Sequence, residues 1–304
     1  MLKNQMIMKQ KLILAALLAV SLAACTDDND PTVPGDGEVA AHVVADIDNV
    51  ATRASGTNWT PDDRIGISTK PGPKTQYTNI PYKWDGGNFK ADDGGTIYFQ
   101  SPETVTFYAY YPYNANGGTV EATTDAEAQK NLPAIDFLYA YGATAKKTDP
   151  TVRFTGEASF RHCMSQITIS LKEGDNMDFS NGKLESYTLN GLVLKGSFDT
   201  ETGTAETTAG EQASALTMKI EGGYSPAPVI LFPQEAGGTI GLEVSVEGET
   251  YKAMLSIPEN RDDLQAGRHY IFPVTVKKSG LTVGTADIKD WEIVNGSDDT
   301  EAVM

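Results

Sequence analysis

A few places in the sequence carry side chains whose type and setting bear on chemistry. Cys25 closes an apolar run and precedes a stretch rich in Asp, Pro and Gly. Arg53 is the lone basic residue in the small, polar stretch Asn49–Asn58, so the Arg53–Ala54 bond lies in a thin, cleavable tether. His162 and Cys163 are adjacent; in a strand they point to opposite faces and cannot jointly hold a metal. Cys163 therefore reads as a small buried apolar residue and His162 as a hydrogen-bonded structural histidine. The Asp-Asp and Gly-Gly pairs at 85–95 are turn chemistry, and without EF-hand spacing no metal site is expected. Trp59, Trp84 and Trp291 and the 13 tyrosines offer rings for stacking on sugars, although aromatic residues at alternating strand positions usually fill cores. The sequence has no GxSxG elbow, HExxH, P-loop or dinucleotide glycine pattern. No enzymatic activity and no cofactor are expected.

The tether around Arg53 follows an alternating segment. Val39, Ala41, Val43, Ala45 and Ile47 fall on one face of an extended chain; Ala40, His42, Asp46 and Asp48 fall on the other, with Val44 the only break. Period-two alternation over this length predicts a half-buried strand. Two readings stand side by side. The segment is an ordinary first strand with an ordinary loop, or it is a strand that can be removed after folding.

Residues 1–24 read as an export signal. Lys3, Lys9 and Lys11 form a basic start, and Leu12–Leu22 is an apolar run too short to span a bilayer. The sequence Leu22-Ala23-Ala24-Cys25 resembles the lipobox of bacterial lipoproteins, which implies cleavage before Cys25 and acylation of its thiol; a plain secretory signal with a chance cysteine is the alternative. Two or three acyl chains, at about 0.8 kcal/mol per buried methylene, anchor a protein firmly. Residues 25–37 are an acidic, flexible tether, and an acidic run just after the cysteine also resembles the surface-export signal of some Gram-negative lipoproteins.

The formal net charge is −17, and residues 54–304 keep 20 basic against 34 acidic side chains. Such a surface repels phosphate backbones, so nucleic acid is excluded as a partner. The two cysteines, far apart in sequence, form no disulfide framework. From residue 59 onward strand-like segments recur every ten to fifteen residues with turns between them. Thr104–Tyr111 is the clearest, and Asn190-Gly191 and Glu247-Gly248 read as hairpin turns. Asn114–Gln129 reads as a polar loop, with at most a short helix near Ala122–Gln129. The predicted class is all-β: two consecutive antiparallel β-sandwiches, residues 38–172 and 173–304, with 38–53 as the removable first strand and cleavage loop. A single large barrel is the alternative.

Several segments carry a family resemblance. In order they are the lipobox, ATRA at Ala51–Ala54, W-x₃-D-x-I-G-I from Trp59 to Ile67, FYAYYPY at Phe107–Tyr113, F-x-H-x₂-S-Q at Phe160–Gln166, AGRHYIFPVTV at Ala266–Val276 and I-x₂-W at Ile288–Trp291. Together they resemble the fimbrillin family, type V pilins exported as lipoproteins in Gram-negative anaerobes. The resemblance implies two transthyretin-like sandwiches and delivery to the outer membrane through a lipid on Cys25. It also implies cleavage between Arg53 and Ala54 by an arginine-specific protease, and assembly with other pilin subunits by strand exchange. The donor strand is expected in the tail after Trp291, whose apolar anchors are Ile293, Val303 and Met304, because a chain end leaves its fold at least cost. The expected function is a structural subunit of a cell-surface fimbria supporting adhesion; the alternative is a carbohydrate-binding surface lipoprotein that does not polymerise.

Overall fold

Alternation of apolar and polar residues runs through most of the chain, and it produces strands throughout the computed structural model, which describes residues 37–47, 59–92 and 95–291. The first half carries β1 (Val39–Ala40), β2 (His42–Ala45), β3 (Arg64–Thr69), β4 (Ile80–Trp84), β5 (Phe89–Ala91), β6 (Tyr98–Phe99), β7 (Val105–Tyr111), β8 (Thr119–Thr123), β9 (Leu138–Ala145), β10 (Thr151–Phe154) and β11 (Arg161–His162). The second carries β12 (Ser165–Glu173), β13 (Leu184–Leu192), β14 (Lys195–Asp199), β15 (Thr204–Thr207), β16 (Ser214–Lys219), β17 (Pro228–Leu231), β18 (Gln234–Glu235), β19 (Thr239–Val246), β20 (Glu249–Ser256), β21 (Asp263–Leu264), β22 (Arg268–Lys277), β23 (Gly280–Val283) and β24 (Asp287–Asp290). The helical segments among the described residues are short 3₁₀ turns, the longest being Ala128–Ala134.

The largest sheet has the order β10-β2-β5-β4-β3-β7-β9-β11. Its apolar face encloses a core that includes Val43, Ile65, Phe107, Val152 and Phe160. In the second half two sheets face each other, β17-β12-β22-β23 with β24 also on β22, and β16-β13-β19-β20. Ile167, Ile169 and Phe272 from one and Leu189, Leu242 and Val244 from the other meet in a second core. A third cluster draws on both halves, and Phe137 stacks on Phe198 within it at 4.7 Å. Cys163 is buried there, as its sequence context predicts.

The chain is all-β with sandwich packing, but two pairings correct the expectation of purely antiparallel sheets. β2 runs parallel to β10, with Val43 opposite Val152. β12 runs parallel to β22 from Gln166 opposite His269 to Glu173 opposite Val276. Alternation fixes which face of a strand is buried and carries no signal for the direction of its neighbour. The second pairing spans the residues around 172/173. β12 buries Ile167, Ile169 and Leu171 in the later core, so it sides with the chain that follows it.

Two local expectations change as well. The stretch read as a loop, Asn114–Gln129, contains β8, which pairs with β14 far along the chain, Ala122 opposite Gly196. Its residues are exposed or half-buried, so no apolar stripe marks it. Asn190-Gly191 lies inside β13 rather than at a hairpin. The register on β16 shifts between Asn190 and Leu192, and Gly191 has φ of +86°, a bulge residue in the left-handed region. The Glu247-Gly248 turn is as read: it joins β19 to β20 with Val246 opposite Glu249, and both turn residues have positive φ.

Candidate functional site

The first strand is where the sequence motifs converge. β2 is an inner strand, parallel to β10 on one side and antiparallel to β5 on the other. Ala41, Val43, Ala45 and Ile47 are buried, His42 and Asp46 exposed. Val39 departs from the expected buried face and is half-buried, because β1 pairs with the short strand β6 outside the large sheet. Full burial of a Val or Ile side chain contributes roughly 1.5–3 kcal/mol, so Val43 and Ile47 are the main apolar anchors of the segment.

Main-chain polarity alternates with the side chains. The amides of His42 and Asp46 donate to Pro150 and Phe154 on the β10 side, at 3.0 and 2.9 Å, and Phe160 N donates to Asp46 O at 2.9 Å. Ile47 forms a parallel bridge with Phe160. Odd residues face the other way: Ala41 N donates to Ile97 O at 2.8 Å. On that side β5 pairs only at Val43 opposite Phe89 and then ends in the Asp85–Asn88 turn. The carbonyl of Ala45 has no ladder partner there. Trp59 supplies one, its indole Nε1 donating to Ala45 O at 2.9 Å.

Trp59 is itself held on several sides. Its ring meets Phe89, Phe160 and Tyr111 edge-on, with centroids 4.9, 5.1 and 5.6 Å away. The turn that follows it locks on Asp63, whose Oδ2 accepts from Thr60 N at 2.6 Å and whose Oδ1 accepts from the Tyr111 hydroxyl at 2.9 Å. Burial, with the Asp63 and Asp136 carboxylates nearby, pushes the Tyr111 hydroxyl well above the usual phenol range and keeps it a donor. The W-x₃-D, FYAYYPY and F-x-H segments thus meet around the end of one strand. Spacing alone does not reveal this convergence; the W-x₃-D turn is its one local signal.

A neighbouring group ties this end to the last described residue. His162 Nδ1 lies 2.8 Å from Asp136 Oδ1, and its ring stacks on Trp291 at 4.2 Å with the planes 2° apart. A cavity of about 560 Å³ between them is lined by Ile47, Trp59, Tyr111, Asp136 and Trp291 among others. Trp291 is 5% exposed, and Trp59 and Trp84 are half-buried. The sugar-stacking reading needs open ring faces. Here the three tryptophan rings are committed to Phe89, Phe160, Tyr111 and His162. Among the described residues no three His, Cys, Asp or Glu side chains come together to hold a metal ion.

Cys25, Arg53, Ala54, Ile293, Val303 and Met304 lie outside the described residues. Their neighbours do not: Ile47 and Trp59, which flank the Arg53 segment in sequence, are both in the site.

Among the described residues, the side chains gathered here clamp a strand within an all-β fold. The chain belongs to the fimbrillin-like family, whose profile matches residues 52–291. No curated protein matches it. Among solved structures it is similar to a candidate cell-adhesion protein of Bacteroides ovatus, with 27% identity over 85% of this chain and 100% of that one and a TM-score of 0.69. A second candidate cell-adhesion protein, from Bacteroides uniformis, shares its fold at 24% identity, 86% and 100% coverage and a TM-score of 0.68. So does the tip fimbrial protein Mfa3 of Porphyromonas gingivalis, with C-terminal truncation, at 12% identity, 83% and 100% coverage and a TM-score of 0.50.

Proposed function

We propose that the protein is a structural subunit of a cell-surface fimbria, matured by removal of its first strand and assembled by strand exchange. In this reading Cys25 is acylated and carries the chain to the outer membrane. An arginine-specific protease then cuts between Arg53 and Ala54, and the segment 38–53 leaves. The observation that carries the reading is the seating of β2: an inner strand that is anchored by Val43 and Ile47 yet meets β5 at one residue pair. Its departure opens a slot between β10 and β5, lined by Phe89, Val152, Phe154 and Phe160. An open slot of this kind templates association. A strand from a second subunit fills it, with main-chain hydrogen bonds for affinity and side-chain pockets for phase. The tail with Ile293, Val303 and Met304 is the proposed donor, and a head-to-tail contact that does not close grows into a fibre.

The test is treatment of the purified protein with an arginine-specific protease beside an Arg53→Ala variant. The expected outcome is cleavage after Arg53, loss of 38–53 and larger species by size-exclusion chromatography for the wild type alone. A wild type that is cut yet keeps its strand and stays monomeric defeats the reading; an Arg53→Ala variant that polymerises equally well defeats cleavage as the trigger.

A further inference from the structure

We propose that Trp59 is the residue by which the body of the protein grips whichever strand occupies the β2 slot, its own first strand or one from a second copy; this rests on the strand-exchange reading above. The slot has two walls of unequal length. On the β10 side it offers a ladder from Thr151 to Phe154 and then the amide of Phe160. On the β5 side the ladder stops at Phe89, and the next outward carbonyl, that of Ala45, is taken by the Trp59 indole. Trp59 therefore does the work of the strand residues that β5 lacks.

Three features make it a grip for strands in general. Its acceptor is a main-chain carbonyl, which every strand presents at every second residue, so the contact is independent of the incoming sequence. Its N–H points at the slot because the ring is wedged by Phe89, Tyr111 and Phe160, all of which remain when residues 38–53 are gone. Trp59 itself follows Arg53 in sequence and stays with the body after cleavage. The indole also fixes phase. A strand shifted by one residue turns an amide-and-carbonyl pair from the Trp59 side to the β10 side and puts its apolar face outward.

The experiment uses the full chain nicked at Arg53 and a labelled synthetic peptide of residues 38–53 in excess. Exchange of peptide for the resident strand is followed by fluorescence anisotropy. Losing one net hydrogen bond speeds exchange roughly 2- to 12-fold, and this acceleration is the result expected for Trp59→Phe. Trp84→Phe, which alters a ring 5.2 Å from the same Phe89, is expected to exchange at the wild-type rate. A wild type that never exchanges overturns the strand-release reading and this proposal with it. A wild type that exchanges, with Trp59→Phe at the same rate, overturns the role of Trp59 and leaves that reading intact. Equal acceleration by Trp84→Phe assigns the effect to a loosened core and also overturns it. Should Trp59→Phe not fold, a peptide with a thioamide at Ala45 replaces it: weaker competition for the wild-type slot is expected, and equal competition overturns the proposal.

Discussion

Among the described residues two pairs of strands run parallel, and β12 of one pair and β2 of the other are held very differently. β12 lies against β22 over eight residue pairs and against β17 over four on its other side. Its Ile167, Ile169 and Leu171 sit in the middle of a core supplied by two facing sheets. β2 lies against β10 over four residue pairs and against β5 over one, and a tryptophan indole completes its hydrogen bonding. Both strands are interior to their sheets, so interior position alone does not make a strand permanent. What differs is how much of the ladder is continuous on both sides. β12 is built in; β2 is seated.

The largest expected effect is on the built-in pair. Phe272 is fully buried on β22, opposite Ile169. Phe272→Ala is expected to cost roughly 3–5 kcal/mol, read as a lower denaturant midpoint. A loss under about 1 kcal/mol would mean that the β12–β22 ladder tolerates a cavity and that the contrast with β2 is overstated.

Acid sharpens the contrast on the same pair. His269 is buried on β22, its Nε2 2.9 Å from the Thr168 hydroxyl of β12, and its Nδ1 has no partner among the described residues. Burial, with Lys289 adding to it, pushes its pKa down to about 4 from the ordinary 6.5, with Asp287 opposing. The unfolded chain therefore binds this proton first as pH falls. Stability is full above pH 6.5, drops as pH falls from 6.5 to 4, and is flat in this respect below; the drop amounts to at most about 3 kcal/mol. His269→Gln is expected to flatten that window when denaturation midpoints at pH 7.5 and 4.5 are compared. An unchanged slope would place the acid sensitivity elsewhere.

The smallest effect falls on the seated strand. Val43 is buried between β10 and β5. Val43→Ala removes two methyl groups and is expected to destabilise the intact chain by about 2 kcal/mol. The same change is expected to quicken release of the strand from protein nicked at Arg53, whereas a change in β12 is not. Equal release rates for wild type and Val43→Ala would remove the distinction between the two strands.

Much of this pattern was legible in residue alternation, and part was not, for a physical reason. The buried face of 39–47 is written in Val43, Ala45 and Ile47, because side chains alternate across a strand whatever lies beside it. The Glu247-Gly248 turn is written in residue types that accept positive φ. Partners are a different matter. That β2 meets β10, that β8 meets β14 and that Asn190-Gly191 makes a bulge all depend on chain distant in sequence. The site shared this limit. Trp59 and Asp63 announce a turn by their spacing, while the carbonyl that Trp59 serves belongs to a strand whose neighbour on that side stops short.

The chain order of the large sheet bears on how the molecule comes to be assembled. β2 is near the start of the chain, yet Val43 has no parallel partner until Val152 exists, and Ile47 none until Phe160 does. A pairing of such separation carries a high loop-closure cost and forms late. The hairpins β3–β4, β4–β5 and β7–β9 join strands adjacent or nearly so in the sheet and in sequence, and they close over shorter loops. As the chain is made, then, one of the earliest strands to appear is among the last to find its place. β2 waits for a seat that is finished only as β10 and β11 arrive, so the route by which β2 enters is already the route of a late-arriving strand.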